Sequence, residues 1–335
     1  MTLGKYVNFG AWRFFLAFLV VISHLWADMI HGPAAYAVWG FYVLSGYLMT
    51  YVLRNKYGFN KEGLISYAFN RFLRIMPLYY VALILGIVTL YFISKGDILQ
   101  SLNGQFAFPQ GTGWLFALTL LPIFPVGNTL VPVSNALGIE VGAYFLLPLI
   151  AMNRSTAWIT VIIGVFINSN HGFDLLTFET RYATFLPCIL SFAIGSLVCH
   201  YKDELKKFAF PTLSIVIWLI HALLWLKFPY WPWTYGLYIS MILSAWVVIS
   251  IDSRETSKFD KTLGDFSYPI YLIHTTVGAW FYEYFNFERS FEFFVVSFSV
   301  TLIVSWLLVK VIDKPLYSIK KPGILLPNTF RVKSR

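Results

Sequence analysis

Eleven apolar segments, at about 14–31, 34–53, 75–94, 114–126, 136–151, 157–168, 183–200, 211–226, 233–251, 267–284 and 291–312, take up most of the chain and leave only short connections between them. A helix needs about 20 apolar residues to cross about 30 Å of hydrocarbon. Inside lipid, only helices and closed barrels satisfy every backbone N–H and C=O. The runs are too long and too uniformly apolar for barrel strands, so the expected fold is an all-α polytopic membrane protein. Composition agrees: 58% of the 335 residues are hydrophobic and 12% charged, whereas a soluble domain is about half apolar and a quarter charged. The length is consumed by the spans, so a single transmembrane domain is expected over 1–320, followed by a short basic cytoplasmic tail over 321–335.

Basic residues fix the sidedness. Arg54, Lys56, Lys61, Arg71 and Arg74 mark one cytoplasmic connection; Lys202, Lys206 and Lys207 mark a second, and Arg254, Lys258 and Lys261 a third, with a basic stretch from Lys310 onward. The crossings between the first two connections must be even in number, yet five segments lie there. The weakest is 114–126, only 13 residues long with Pro122 and Pro125 near its end, a length typical of re-entrant or interfacial segments. Ten spans with both termini cytoplasmic are therefore expected. The positive-inside pattern accounts for the net charge of +9, so no nucleic-acid partner is expected. Residues 1–30 read as a retained first span, because Arg13, Ser23 and His24 interrupt what would otherwise pass for a signal peptide. Cys188 and Cys199 would lie about 16 Å apart along one helix, beyond disulfide reach, and read as packing residues. No internal repeat is visible.

Ionisable residues within spans are costly and mark function by default. Arg13 and His24 are eleven positions apart in "RFFLAFLVVISH". That spacing is within about 20° of three full helical turns, so both lie on one face, about 16 Å apart along the axis. Arg71 and Arg74, at i and i+3 before the third span, can grip phosphate oxygens as planar guanidiniums. Glu140 and Tyr144 stand one turn apart in "NALGIEVGAYFLLP"; a carboxylate approaching His24 could orient it as a general base. His274 is expected near mid-membrane, with Ser267, Tyr268 and Tyr271 along the approach. His31, His171, His200 and His221 receive no role. Trp39, Tyr42, Trp114, Trp231 and Trp233 fall toward the outer side, either as an interfacial belt or as platforms for sugar rings. No Walker loop, GxSxG, HExxH or CxxC motif occurs, and no metal site is expected. A proton-coupled transporter or exporter would also need intramembrane His, Glu and Arg, and a non-catalytic glycan-assembly scaffold is a third reading.

Six elements in order resemble the integral-membrane acyltransferase type 3 family. They are "RFFLAFLVVISH", "FYVLSGYLMT", "RFLRIMPLYY", "NALGIEVGAYFLLP", "LGDFSYPIYLIH" and "IDKPL". The resemblance implies transfer of an acyl group, most often acetyl, from acyl-CoA (acetyl-CoA as co-substrate) to a hydroxyl of a glycan or lipid-linked saccharide, within about ten helices surrounded by membrane lipids. It further implies an essential pair at Arg13 and His24, paired arginines at Arg71 and Arg74, and a carboxylate at Glu140. Its Ser-Gly element falls on Ser45 and Gly46, and its later Ser, Tyr and His on Ser267, Tyr268 and His274. Asn135 and Ala136 stand where the family has Trp and Ser, a departure on the acceptor side. The expected mechanism has the phosphates of acyl-CoA on Arg13, Arg71 and Arg74, and His24, oriented by Glu140, deprotonating the acceptor hydroxyl. The sequence sets no oligomeric state.

Overall fold

The computed structural model describes residues 8–26, 32–94, 106–124, 126–170, 178–252, 257–284 and 289–320. Among these residues no strand forms, and the sole bridge is an isolated parallel one between Phe106 and Thr129. His31, His171 and the 321–335 tail lie outside the described residues.

Helix α1 (Phe9–Leu25) opens on Asn8, whose side-chain oxygen accepts from the Phe9 N–H. It is followed by α2 (Gly32–Val52) and by α3 (Lys61–Thr89), which Asn60 caps by accepting from the Gly63 N–H. Each of these two helices ends in a π-helical turn, Leu53–Tyr57 and Leu90–Ser94. The short α4 (Gly113–Thr119) precedes α5 (Ser134–Ile150), α6 (Arg154–Asn170), α7 (Phe178–Tyr182) and α8 (Phe185–His200). After α9 (Lys202–Leu205) come α10 (Pro211–Leu223), α11 (Tyr235–Ile251), α12 (Lys258–Ala279), α13 (Phe291–Leu308) and α14 (Lys314–Leu316). Ser257 and Ser290 cap α12 and α13 by accepting from the N–H groups of Asp260 and Phe293, satisfying donors that a helix start leaves open.

Among the described residues, three helical stretches are long and apolar enough to cross a membrane: Pro33–Tyr57, Lys61–Ile93 and Phe291–Leu316. The pair Phe185–His200 and Lys202–Phe208 qualifies together but bends by 81° at its break. Four shorter apolar helices accompany them: Phe9–Leu25, Ser134–Ile150, Pro211–Leu226 and Tyr235–Ile251. The ten expected crossings are therefore not reached by length and composition alone. Helix α12 falls out for a different reason. It has 22 residues, but its interior carries Ser267, Tyr268, Tyr271, His274, Thr275 and Thr276, which makes it the most polar of the long helices. The 114–126 segment yields only the seven-residue α4, about 10 Å long. It stops where Leu120 turns left-handed at φ 57°.

The molecule is apolar outside as well as inside. Ile162, Phe166 and Ile303 are each more than 60% exposed, on helices whose opposite faces bury small and polar residues such as Gly164, Ser297 and Thr301. Helices that pack in lipid gain from close backbone approach and interhelical hydrogen bonds rather than from burying oil. Both devices occur here. Thr50 donates to Ser196, and the Trp218 indole donates to Ser244. Helices α2 and α8 meet where an added Cβ on Gly46 would sit 2.1 Å from the Phe192 carbonyl oxygen, and one on Gly195 2.0 Å from that of Val43. Helix α1 packs along α12, whose Asp260 carboxylate accepts from the N–H groups of Asn8, Gly10 and Ala11 at 2.8–3.1 Å. A buried carboxylate at the positive end of a helix is satisfied both by hydrogen bonds and by the dipole.

Candidate active site

Helices α1, α2, α3, α5 and α12 enclose a cavity of about 500 Å³. Five cationic side chains line it (Arg13, Arg71, Arg74, Lys261 and Lys320) against the carboxylates of Glu140, Asp260 and Asp265. The Asp260 carboxylate is already committed to the start of α1, so the balance in the cavity favours an anionic guest. The arginines are not equivalent. Arg74 donates to Asp313 at 2.8 Å, in the π-helical turn Val309–Asp313 that ends α13, and Asp313 is 1% exposed. Arg13 and Arg71, in contrast, make no hydrogen bond or ion pair among the described residues, and the Nε of Arg71 is buried with no partner among them. Unsatisfied buried guanidinium nitrogens are rare in native structures and require an explanation, and a cavity-bound anion supplies one. Lys320 follows the Asp313-x-Pro315 turn back to the same cavity. Burial, with repulsion from Arg74 and Arg71, pulls its ammonium down to about 8 from an ordinary 10.5.

A second cavity, of about 670 Å³, adjoins the first and is lined by His24 with Asn135, Thr180, Tyr182 and Thr184. Val38, Tyr42, Ala136 and Tyr271 line both cavities and form the wall between them. The wall is tied to α5 and the turn before it: Tyr42 donates to the Ala136 carbonyl, and Tyr271 to that of Val133. Arg13 and His24, on one face of α1, thus open into different but contiguous chambers.

Within the second chamber the partner of His24 is a histidine. Nδ1 of His24 lies 2.9 Å from Nε2 of His274, and the rings stack at 10° with centroids 5.2 Å apart. Nδ1 of His274 lies 3.1 Å from the Ile270 carbonyl oxygen. A carbonyl only accepts, so that nitrogen carries the proton. In the neutral ring Nε2 of His274 is then the acceptor, and His24 must donate from Nδ1. The network thereby assigns the tautomer of His24 and leaves its Nε2 as the basic nitrogen. Arg289 donates to the His24 carbonyl oxygen at 2.8 Å and ties down the C-terminal end of α1, where a cation is favourable.

Glu140 does not take the expected position beside His24. Its Oε1 accepts from Ser45 at 2.7 Å and from Tyr144, and it lines the arginine chamber. The depth assigned from the sequence assumed that α5 and α1 present their polar residues at matching heights. The packing instead puts Glu140 level with Ser45, nearer the arginines. Ser45 is thus a ligand of Glu140, whereas Gly46 serves the α2–α8 contact. Ser267 donates to the Gly264 carbonyl and Tyr268 to that of Ile75; both line the arginine chamber.

The aromatic reading changes as well. Trp39 is 0% exposed and cannot stack on a sugar. The Trp231 indole donates to His221, while Trp114 stays partly exposed. Both cysteines are free and buried, as expected. His200 engages Arg54 near the end of α8, and among the described residues no group of acidic, His or Cys side chains could hold a metal. Two residues of the site had no motif to announce them, Lys320 and Arg289, and the role of Asp313 as the anchor of Arg74 was not foreseen. For Asp313 a signal existed in the "IDKPL" element, but its partner lies 239 positions away.

Residues 6–310 match the acyltransferase 3 family, described as an acyltransferase domain. The chain belongs to this family, and together with its apolar helices this makes it an integral membrane acyltransferase. Among curated proteins, an uncharacterized protein of Aquifex aeolicus (strain VF5) is 23% identical over 202 residues, covering 57% of this chain and 89% of that one. No solved structure matches.

Proposed function

We propose that the protein moves an acyl group, acetyl in the first instance, from cytoplasmic acyl-CoA to a hydroxyl of a cell-surface or lipid-linked glycan. The observation that carries this reading is the pair of chambers that share a wall, one cationic with two guanidiniums that have no partner among the described residues, the other holding an oriented histidine. The cationic chamber fits a polyphosphate: Arg13 and Arg71 would hold its oxygens, with Arg74 fixed by Asp313 and Lys320 nearby. About 16 Å of helix separates Arg13 from His24, comparable to the reach of an extended pantetheine arm. The sided charge pattern supports a cytoplasmic donor and a bacterial inner-membrane setting with both termini inside.

His24 supplies the chemistry. Its Nε2 takes the proton of the acceptor hydroxyl as the oxygen attacks the thioester carbonyl, and the thiolate leaves with the donor. The imidazolium so formed keeps its Nδ1–H on His274, which is itself held by the Ile270 carbonyl. General-base catalysis of this kind is worth about 10²–10⁴-fold. The proposal is tested with purified protein in liposomes, radiolabelled acetyl-CoA and a glycan extract. His24→Ala should lose at least about 10²-fold in transfer while still binding CoA. His274→Phe should lower kcat with donor affinity unchanged. Full transfer by His24→Ala would refute the assignment. A transporter, the alternative class, would neither transfer nor hydrolyse the thioester.

A further inference from the structure

Both hydroxyls that bind Glu140, those of Ser45 and Tyr144, donate to the same carboxylate oxygen, Oε1. Among the described residues Oε2 accepts no hydrogen bond, and the carboxylate forms no ion pair with Arg13 or Arg71. Two donors on one oxygen fix the orientation of the carboxylate and leave the other oxygen for a guest.

Its position along the chamber is read from three helices. On α5, Ala136 stands at the wall shared with the histidine chamber, Glu140 one turn below it, and Tyr144 one turn further, toward the arginines. Each of these four-residue steps rises about 6 Å. Helix α2 repeats the order with Tyr42 at the wall and Ser45 below it. On α12, Tyr271 at the wall is followed by Tyr268 and Ser267. Anything that holds its phosphates on the arginines and extends toward the wall must pass Oε2.

We propose that Glu140 is a donor-binding residue, its Oε2 accepting an amide N–H from the pantetheine arm of acyl-CoA. The arm carries two secondary amides between the phosphates and the sulfur, and a carboxylate is the strongest acceptor available for such an N–H. A phosphate or a sugar carboxylate would be repelled at this point, so Glu140 also selects for a neutral arm between the two chambers. This inference rests on the proposed donor.

The test is calorimetric binding to the full-length protein in detergent, in a His24→Ala background so that no turnover intervenes. The ligands are CoA and adenosine 3′,5′-bisphosphate, which has the nucleotide end but no arm. Glu140→Ala should weaken CoA by about tenfold, the scale of one hydrogen bond to a charged group, and leave the bisphosphate unchanged. Glu140→Gln keeps an acceptor oxygen and should retain most of the affinity, and Ser45→Ala should weaken CoA alone by about two- to threefold, which also covers the case in which Glu140→Ala fails to fold. Equal weakening of both ligands, or none, would overturn the inference with the donor intact. Failure of the parent protein to bind either ligand would overturn the donor reading, and this inference with it.

Discussion

With the donor held as proposed, Lys320 would couple its binding to pH. Its ammonium is depressed to about 8 by burial and by repulsion from Arg74 and Arg71. The charged form, which attracts phosphate, is therefore lost as pH rises through about 8. The affinity of the arginine chamber for CoA should fall between pH 7 and 9, and Lys320→Arg, whose guanidinium stays charged, should flatten that fall. Titration calorimetry at three pH values reads this directly, and an identical slope in the variant would exclude Lys320 from the site. The stability term has the opposite sense. The unfolded chain keeps this proton up to about 10.5, so between 8 and 10.5 stability gains with rising pH.

At the scale of elements, the site depends on how closely its helices approach. The α2–α8 crossing has no room for a side chain at Gly46, and Ser45, its neighbour, holds Glu140. Gly46→Val must push the two helices apart, and overpacking of this kind costs about 1–3 kcal/mol or more. Its expected result is a lower thermal midpoint together with weakened CoA binding; a variant as stable and as tight as the parent would show that the crossing has slack. What the sequence discloses follows the same division. The common face of Arg13 and His24, and the pairing of Arg71 with Arg74, are properties of one helix and follow from its period. The weakness of 114–126 is equally local, being a matter of length and two prolines. The His24–His274 contact joins residues 250 positions apart, and the height of Glu140 depends on how far α5 slides along α2, where it meets Ser45. No periodicity encodes either. Hence residues that line the two chambers can be picked out one segment at a time, while the carboxylate's partners cannot.

For the whole molecule, the decisive feature is that two chambers share one wall. The cationic chamber is lined by Arg71, Lys261 and Lys320, basic residues of the connections that the charge pattern of the sequence assigns to one side, whereas His24 sits toward the far end of α1. Donor and acceptor would then approach from opposite sides and meet only through the gap bounded by Val38, Tyr42, Ala136 and Tyr271. Ala136 is the smallest of these residues and lines both chambers. Ala136→Phe should plug the gap. The bisphosphate, which needs only the arginine end, should bind within about twofold of the parent, whereas acyl transfer should fall by at least about 10²-fold, because reacting groups kept apart lose the whole advantage of proximity. Ala136→Ser, close in volume, should transfer normally and so exclude a general intolerance at this position. Normal transfer by Ala136→Phe would mean that the acyl group reaches His24 by another route.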